Sequence, residues 1–294
     1  MKSKDLQAPQ TIWLNGCFLP AGEAAVSPFD RGFLYGDGIF ETMRAENGVV
    51  LYLREHLERL RCSLAELRID LNLSPDWGDI LGELMIRNGL SGDIAVIKIV
   101  VSRGVAPAMG LPASVQPTLI ITARKYAPVD PLIYEKGWGL HVFREGFSPP
   151  LARFKSLNYL YFSLARQAAL DVGADEALLL DPHGNVTETA AGSLLLRTDG
   201  KWRAPVSPYQ LPGISIAQLI RILKDAGDSV ERRTTTIEDV FSASTIWVLN
   251  SLIGIMPVSR IDGRRVPDIA AQEASQFRSE LFRRGASFST ETTR

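Results

Sequence analysis

The chain has 294 residues, 46% hydrophobic and 22% charged, with a formal net charge of −1. That is the balance of an ordinary globular protein with room for one large core or two medium ones, and it gives no electrostatic case for nucleic acid or a membrane surface as partner. Two cysteines, Cys17 and Cys62, are too few for a disulfide scaffold and lack metal-ligand spacing, no run approaches the ~20 apolar residues of a membrane span, and residues 1–10 lack an apolar signal core, so a cytoplasmic setting is expected.

In chain order, apolar residues at 11–14 and 17–19 flank Asn15-Gly16, a strong hairpin signal. Leu57, Leu60, Leu64 and Leu67 recur at spacings of three and four and predict a helix over 54–69. A second helix is expected over 76–88, started after Ser74-Pro75 and stopped by Gly89. Residues 94–101 and 118–123 read as buried strands, separated by a Gly/Pro/Ala-rich loop over 104–116. Pro128 and Pro131 mark a linker over 127–134, which leaves an N-terminal α/β domain over 1–126. Short strands follow at 139–144, 176–180, 186–189, 194–197 and 245–249, interrupted by helices over 156–171 and 214–226. They define a strand-rich C-terminal domain over 135–286, and the Ser/Thr-rich tail, 287–294, is expected to fray.

The chemistry starts from Lys155, which heads an apolar run (Leu157, Leu160, Phe162, Leu164, Ala168) where a solvated ammonium is out of place. An amine held in a dry site has its pKa lowered and becomes a nucleophile and proton carrier. Glu188 follows the turn Asp181-Pro182-His183-Gly184-Asn185, and such a carboxylate can keep a pyridine nitrogen protonated. Leu211-Pro212-Gly213-Ile214-Ser215 enters an amphipathic helix, and Asn250-Ser251-Leu252 follows a strand-like run. Each offers backbone N–H groups and a hydroxyl at a bend, a way to hold a phosphate without a P-loop.

This order of motifs, with Asp30-Arg31-Gly32-Phe33-Leu34-Tyr35-Gly36-Asp37-Gly38-Ile39-Phe40-Glu41-Thr42-Met43-Arg44 and Glu55-His56-Leu57-Glu58-Arg59-Leu60 ahead of it, resembles fold-type IV (class IV) pyridoxal-phosphate enzymes. That group holds branched-chain aminotransferases, D-amino acid aminotransferases and aminodeoxychorismate lyases, and the resemblance spans residues 12–266. It implies a two-domain α/β (α+β) fold, with a smaller N-terminal α/β domain and a larger, strand-rich C-terminal pseudo-barrel. It also implies a homodimer and pyridoxal 5'-phosphate as cofactor. Under it Lys155 is the covalent anchor and proton carrier, Glu188 faces the ring nitrogen, and Arg59 meets the phosphate. Ile214, Ser215, Ser251 and Leu252 complete the phosphate cup, Tyr159 lies at the ring hydroxyl, and Ser193 stands where many members have Asn. Tyr35, Phe40, Arg44 and Arg103 fall on the substrate side.

Within the group, the Arg-x-His carboxylate trap of D-amino acid aminotransferases is missing, because Ala108 and Gly110 occupy its places. Val101 stands where branched-chain enzymes carry a tyrosine. The run Asn250-Ser251-Leu252-Ile253-Gly254-Ile255-Met256-Pro257-Val258 resembles that of aminodeoxychorismate lyases. The resemblance thus implies a small-molecule reaction of folate biosynthesis, 4-amino-4-deoxychorismate giving 4-aminobenzoate and pyruvate, with Thr42 as candidate acid for the leaving group. A class IV aminotransferase and a non-catalytic paralogue are the alternatives.

Overall fold

The computed structural model describes residues 10–71, 76–107, 109–113 and 116–290, the side chains of 288–290 apart. Ser74-Pro75, Ala108 and the last four residues of the tail lie outside them. The chain divides into two compact units. The first is Met1–Ala127 with Lys155–Leu157 and Gly285–Arg294; the second is Pro128–Phe154 with Asn158–Arg284.

The first unit is built on an antiparallel sheet of β1 (Thr11–Leu14), β2 (Cys17–Pro20), β3 (Gly38–Glu46), β4 (Val49–Val50), β5 (Ile94–Ser102) and β6 (Thr118–Lys125), in the order β2-β1-β6-β5-β3-β4. The Asn15-Gly16 turn forms as expected, both residues at positive φ (47° and 101°). Strand side chains alternate between faces. Ile39, Met43, Ile97, Ile99, Val101, Leu119 and Ile121 all point into one core, closed by Leu60 and Leu64 of α2 (Leu53–Glu66) and by Leu81 and Leu84 of α3 (Trp77–Arg87). The intervening residues of β3, β5 and β6, among them Phe40, Thr42, Arg44 and Lys98, occupy the opposite face. The short α1 (Arg31–Tyr35) is capped by Asp30, which accepts from Gly32 N at 2.7 Å, and stopped by Gly36 at φ 66°.

The second unit opens with α4 (Pro131–Lys136), so the proline-bearing stretch is in part a helix, with Pro131 in its first turn and Asp130 as cap. Its sheet takes β7 (Trp138–Val142), β8 (Glu176–Leu180), β9 (Val186–Thr189), β10 (Ser193–Thr198), β11 (Lys201–Pro205), β12 (Val230–Arg233), β13 (Thr245–Asn250) and β14 (Gly254–Ile261), in the order β12-β11-β10-β13-β14-β7-β8-β9. A two-residue β15 (Arg264–Arg265) pairs with β14. The sheet curls: a Val186–Thr235 bridge returns β9 to the chain leaving β12. Leu140, Leu178, Leu194, Ile246, Val248 and Met256 fill its inside. Around it run α5 (Leu160–Asp171), α6 (Ile214–Asp225) and α7 (Ile237–Ser242), and α8 (Ala271–Thr290) is the last element among the described residues.

The structure corrects the sequence reading at the lysine. The apolar spacing predicts a helix from residue 156, but α5 begins at Leu160. Residues 155–157 are instead extended against β3: Phe40 N donates to Lys155 O at 2.8 Å, Leu157 N donates to Gly38 O at 2.9 Å, and Ile39 bridges Ser156. Long-range pairing has overridden local helical periodicity. The same pairing needs glycine at 38, because a Cβ there would collide with Val101 O and the Leu157 side chain. At the other end α8 runs to Thr290, past the expected start of the frayed tail.

Candidate active site

In the first unit, Lys155 is half-buried, with its Nζ 4.6 Å from the centroid of the Phe40 ring. Phe40 is buried on β3, and Thr42, two residues along the same face, is half-buried. The neighbouring residue on the other face, Glu41, is buried and reaches α2, where Arg59 Nε and Nη2 donate to its two oxygens at 2.8 and 2.6 Å. His56 Nδ1 lies 2.7 Å from the same carboxylate. Burial alone would raise the Glu41 pKa, but hydrogen bonds from Arg59 and His56 outweigh it and hold the carboxyl at about 2. Burial pushes His56 below its ordinary value, against the pull of Glu41, and the charges of Arg59 and Lys155 push the same way. Arg59 is therefore a fixed guanidinium on a rigid helix, aligned by a buried carboxylate.

The proposed substrate cations fare differently. Arg44 is buried, bonded to Glu46 at 2.6 Å and stacked over Tyr126 at 5.5 Å. Arg103 is fully buried, and its five N–H bonds go to both oxygens of Asp37 and to the carbonyls of Leu67, Arg68 and Pro112. Together with the Arg31–Asp37 pair at 2.7 Å, that network fixes the turn after β5, so Arg103 has a structural task and is not carried forward as a substrate ligand. Val101 points into the core, so its missing hydroxyl does not bear on substrate choice. Tyr35, at the end of α1, is 59% exposed with the Arg31 guanidinium over its ring.

In the second unit, Glu188 is buried on β9, and its Oε1 accepts from Leu211 N at 3.2 Å. That bond ties the carboxylate to the loop leading into α6. The N-cap of α6 is Gly213, without a side-chain cap, so the N–H groups of its first turn have no capping side chain to take them. A Cβ on Gly213 would run into the Ser193 hydroxyl, which would have to turn away, so glycine keeps the backbone of this helix start open beside Ser193. Ser215 is buried one residue into the helix. At the β13–β14 turn, Asn250 Oδ1 accepts from Leu252 N at 3.0 Å and Ile253 N at 2.9 Å, while Nδ2 donates to Ala191 O at 3.0 Å. The Leu252 N–H is thus already donated to Asn250, and Ser251 sits at the tip of an asparagine-braced turn. Tyr159 stacks on Phe162 and donates its hydroxyl to Ala190 O at 2.9 Å. Burial, reinforced by the charge of Glu188, raises its pKa to about 12, so the phenol stays protonated.

The sequence reading assigns no role to Glu41, His56 or Lys98. The spacing of His56 and Arg59, three residues apart on α2, is a legible signal, since i and i+3 side chains share a helix face. Nothing local marks Glu41 as their partner. Among the described residues no group of His, Cys, Asp and Glu could hold a metal ion, and no helix is long and apolar enough to cross a membrane.

The first unit thus offers a half-buried lysine over an aromatic ring, and the second, by itself, a buried carboxylate tied to the loop that leads into an uncapped helix start. The family model for amino-transferase class IV matches residues 38–261, and the chain belongs to that family. It is 35% identical over 280 residues to a putative branched-chain-amino-acid aminotransferase of Methanocaldococcus jannaschii, covering 92% of this chain and 95% of the relative. It is 33% identical to a D-alanine aminotransferase of Staphylococcus haemolyticus (87% and 91% covered) and 30% identical to an aminodeoxychorismate lyase of Vibrio harveyi (85% and 91%). Among solved structures, a T.th. branched-chain amino acid aminotransferase with pyridoxamine 5'-phosphate aligns with a TM-score of 0.85 at 27% identity, covering 94% of this chain and 95% of that one. The protein is therefore a fold-type IV enzyme, and pyridoxal 5'-phosphate is its cofactor.

Proposed function

We propose that the protein is a 4-amino-4-deoxychorismate lyase that releases 4-aminobenzoate and pyruvate. The observation that carries this reading is Thr42, a hydroxyl on the strand face that also bears Phe40, the ring beneath the Lys155 ammonium. The cofactor, when bound, supplies an electron sink for a carbanion at the amine-bearing carbon. Lys155 would anchor it, Glu188 would keep its ring nitrogen protonated, and Arg59, Ile214, Ser215 and Ser251 would hold its phosphate. The remaining work belongs to side chains. Lys155 takes the proton from the amine-bearing ring carbon. The bond between the neighbouring carbon and the side-chain oxygen breaks, and that oxygen takes a proton from Thr42. The released enol becomes pyruvate while the ring, now aromatic, leaves as 4-aminobenzoate. Atoms balance without an amino acceptor.

A second reading, a branched-chain or D-amino acid aminotransferase, is supported by the 35% and 33% identical relatives and by the branched-chain structural neighbour. One coupled assay separates them. Purified protein given 4-amino-4-deoxychorismate should release pyruvate and 4-aminobenzoate in equal amounts with no oxo acid added. Rapid transfer from L- or D-amino acids to 2-oxoglutarate, with no pyruvate formed, would move the assignment to the aminotransferase.

We further propose that the working form is a homodimer. What supports it is Phe29 and Phe33, 70% and 76% exposed four residues apart in the first unit, large aromatic surface that a second copy would cover.

A further inference from the structure

The Glu188 carboxylate is oriented by a backbone group from a loop, since its Oε1 accepts from Leu211 N at 3.2 Å. A loop N–H can aim a buried carboxylate only if the loop is itself held. Ahead of Leu211 the hold is plain. Pro212 follows directly, and proline fixes its own φ and narrows the conformations open to the residue before it. Gly213 then caps α6 so close to Ser193 that a Cβ would meet its hydroxyl.

Behind Leu211 the hold comes from two side chains that the proposed reaction leaves without a task. Ser207 N donates to Gln210 Oε1 at 2.7 Å, and Tyr209 N donates to Ser207 Oγ at 3.2 Å, so the loop closes on itself just before Leu211. The Ser207 hydroxyl donates in turn to Asp181 Oδ2 at 3.2 Å. Asp181 is buried, and its Oδ1 accepts from His183 N and Asn185 N, both at 2.9 Å, which locks the turn between β8 and β9. A serine and a glutamine that close a turn ordinarily serve that turn alone. Here the closed turn is pinned at one end to the β8–β9 hairpin and at the other to Glu188, a member of the same hairpin. The brace and the carboxylate are therefore parts of one ring of hydrogen bonds.

We propose that Ser207 and Gln210 are positioning residues for Glu188: they brace the loop so that the Leu211 N–H stays on Oε1 and Oε2 is left as the oxygen for the coenzyme's ring nitrogen. This rests on the reading that gives Glu188 to that nitrogen, and the experiment separates the two.

The test uses the protein loaded with pyridoxal 5'-phosphate that is isotopically labelled at the ring nitrogen. Nitrogen NMR reports whether that atom holds a proton, and the signal is followed against pH. Ser207→Ala and Gln210→Ala should each lower the pH at which the proton is lost by about 0.5 to 1, a roughly 3- to 10-fold change, as expected when one neutral hydrogen bond no longer holds the carboxylate in line. Ser207→Thr keeps a hydroxyl and should restore the wild-type titration, and if one alanine variant does not fold the other is read in its place. In a Glu188→Gln background Gln210→Ala should add nothing, because no carboxylate remains to be aimed. Wild-type titrations in the alanine variants, or equal shifts with and without Glu188, overturn the proposal alone. A wild-type titration in Glu188→Gln itself removes Glu188 from the ring nitrogen and overturns the reading beneath it.

Discussion

At the scale of single residues, the proposed function gives Lys155 and Glu188 distinct tasks, so their variants should fail differently. Lys155→Ala should lose the visible absorbance band of the bound cofactor and all turnover, read by spectrum and assay together. Glu188→Gln should keep the band and lose about 100-fold or more in rate, because a neutral amide cannot hold a ring nitrogen charged; the ratio of cofactor content to activity checks it. Glu41 makes a prediction about stability. Its folded carboxyl is held at about 2 against an ordinary 4.5, so it stabilises the fold above 4.5, and that contribution, about 3 kcal/mol, is lost as pH falls towards 2. His56 acts in the same direction: its folded value lies below 6.5, so the unfolded chain binds the proton more readily and stability drops as pH falls through that range. Stability curves of wild type and Glu41→Gln from pH 6 to 3 should draw closer as pH falls below 4.5, and parallel curves would remove Glu41 from this role.

At the scale of elements, the proposed function makes the α6 start a point of attachment for the phosphate. Gly213→Ala forces a methyl against the Ser193 hydroxyl and should weaken pyridoxal 5'-phosphate about 10-fold or more, while unphosphorylated pyridoxal is little changed. Equilibrium dialysis with both ligands reads the difference. Elements are legible in the sequence where pattern and partner are local. The leucine spacing of α2, the Asn15-Gly16 turn and β9 follow from neighbours along the chain. Strand β3 is hidden because Glu41 and Arg44 interrupt its apolar side chains, and they are tolerated there only through His56, Arg59, Glu46 and Tyr126. The stretch from Lys155 reads as a helix because its apolar spacing is helical, while its true partner, β3, lies over a hundred residues earlier. Lys98 escapes notice for a related reason: a lysine alternating with Ile97 and Ile99 reads as the wet side of a strand, and only the Phe40 ring shows otherwise.

For the molecule as a whole, the exposed aromatic surface of Phe29 and Phe33 should be covered by a second copy. Sedimentation at micromolar concentration should give a dimer, and Phe33→Glu should shift it towards monomer with a fall in activity; a fully active monomer in the wild type would contradict the assignment. The two-unit architecture is legible in outline, from the change to short strands after residue 135. The allegiance of residues 155–157 is not, since it depends on hydrogen bonds to Gly38 and Phe40 that no local pattern announces.

That allegiance bears on how such an enzyme can diverge. Lys155 hangs on the strand that carries Phe40 and Thr42, whereas the residues proposed to grip the ring nitrogen and phosphate lie elsewhere in the chain. Drift on the Phe40 face of β3 and β5, which leaves Glu41 and its grip on Arg59 untouched, should therefore retune what is recognised and where protons go without loosening the hold on the coenzyme. A library randomised at Thr42 and Lys98 alone should still yield yellow protein in most clones, with altered appetites among them.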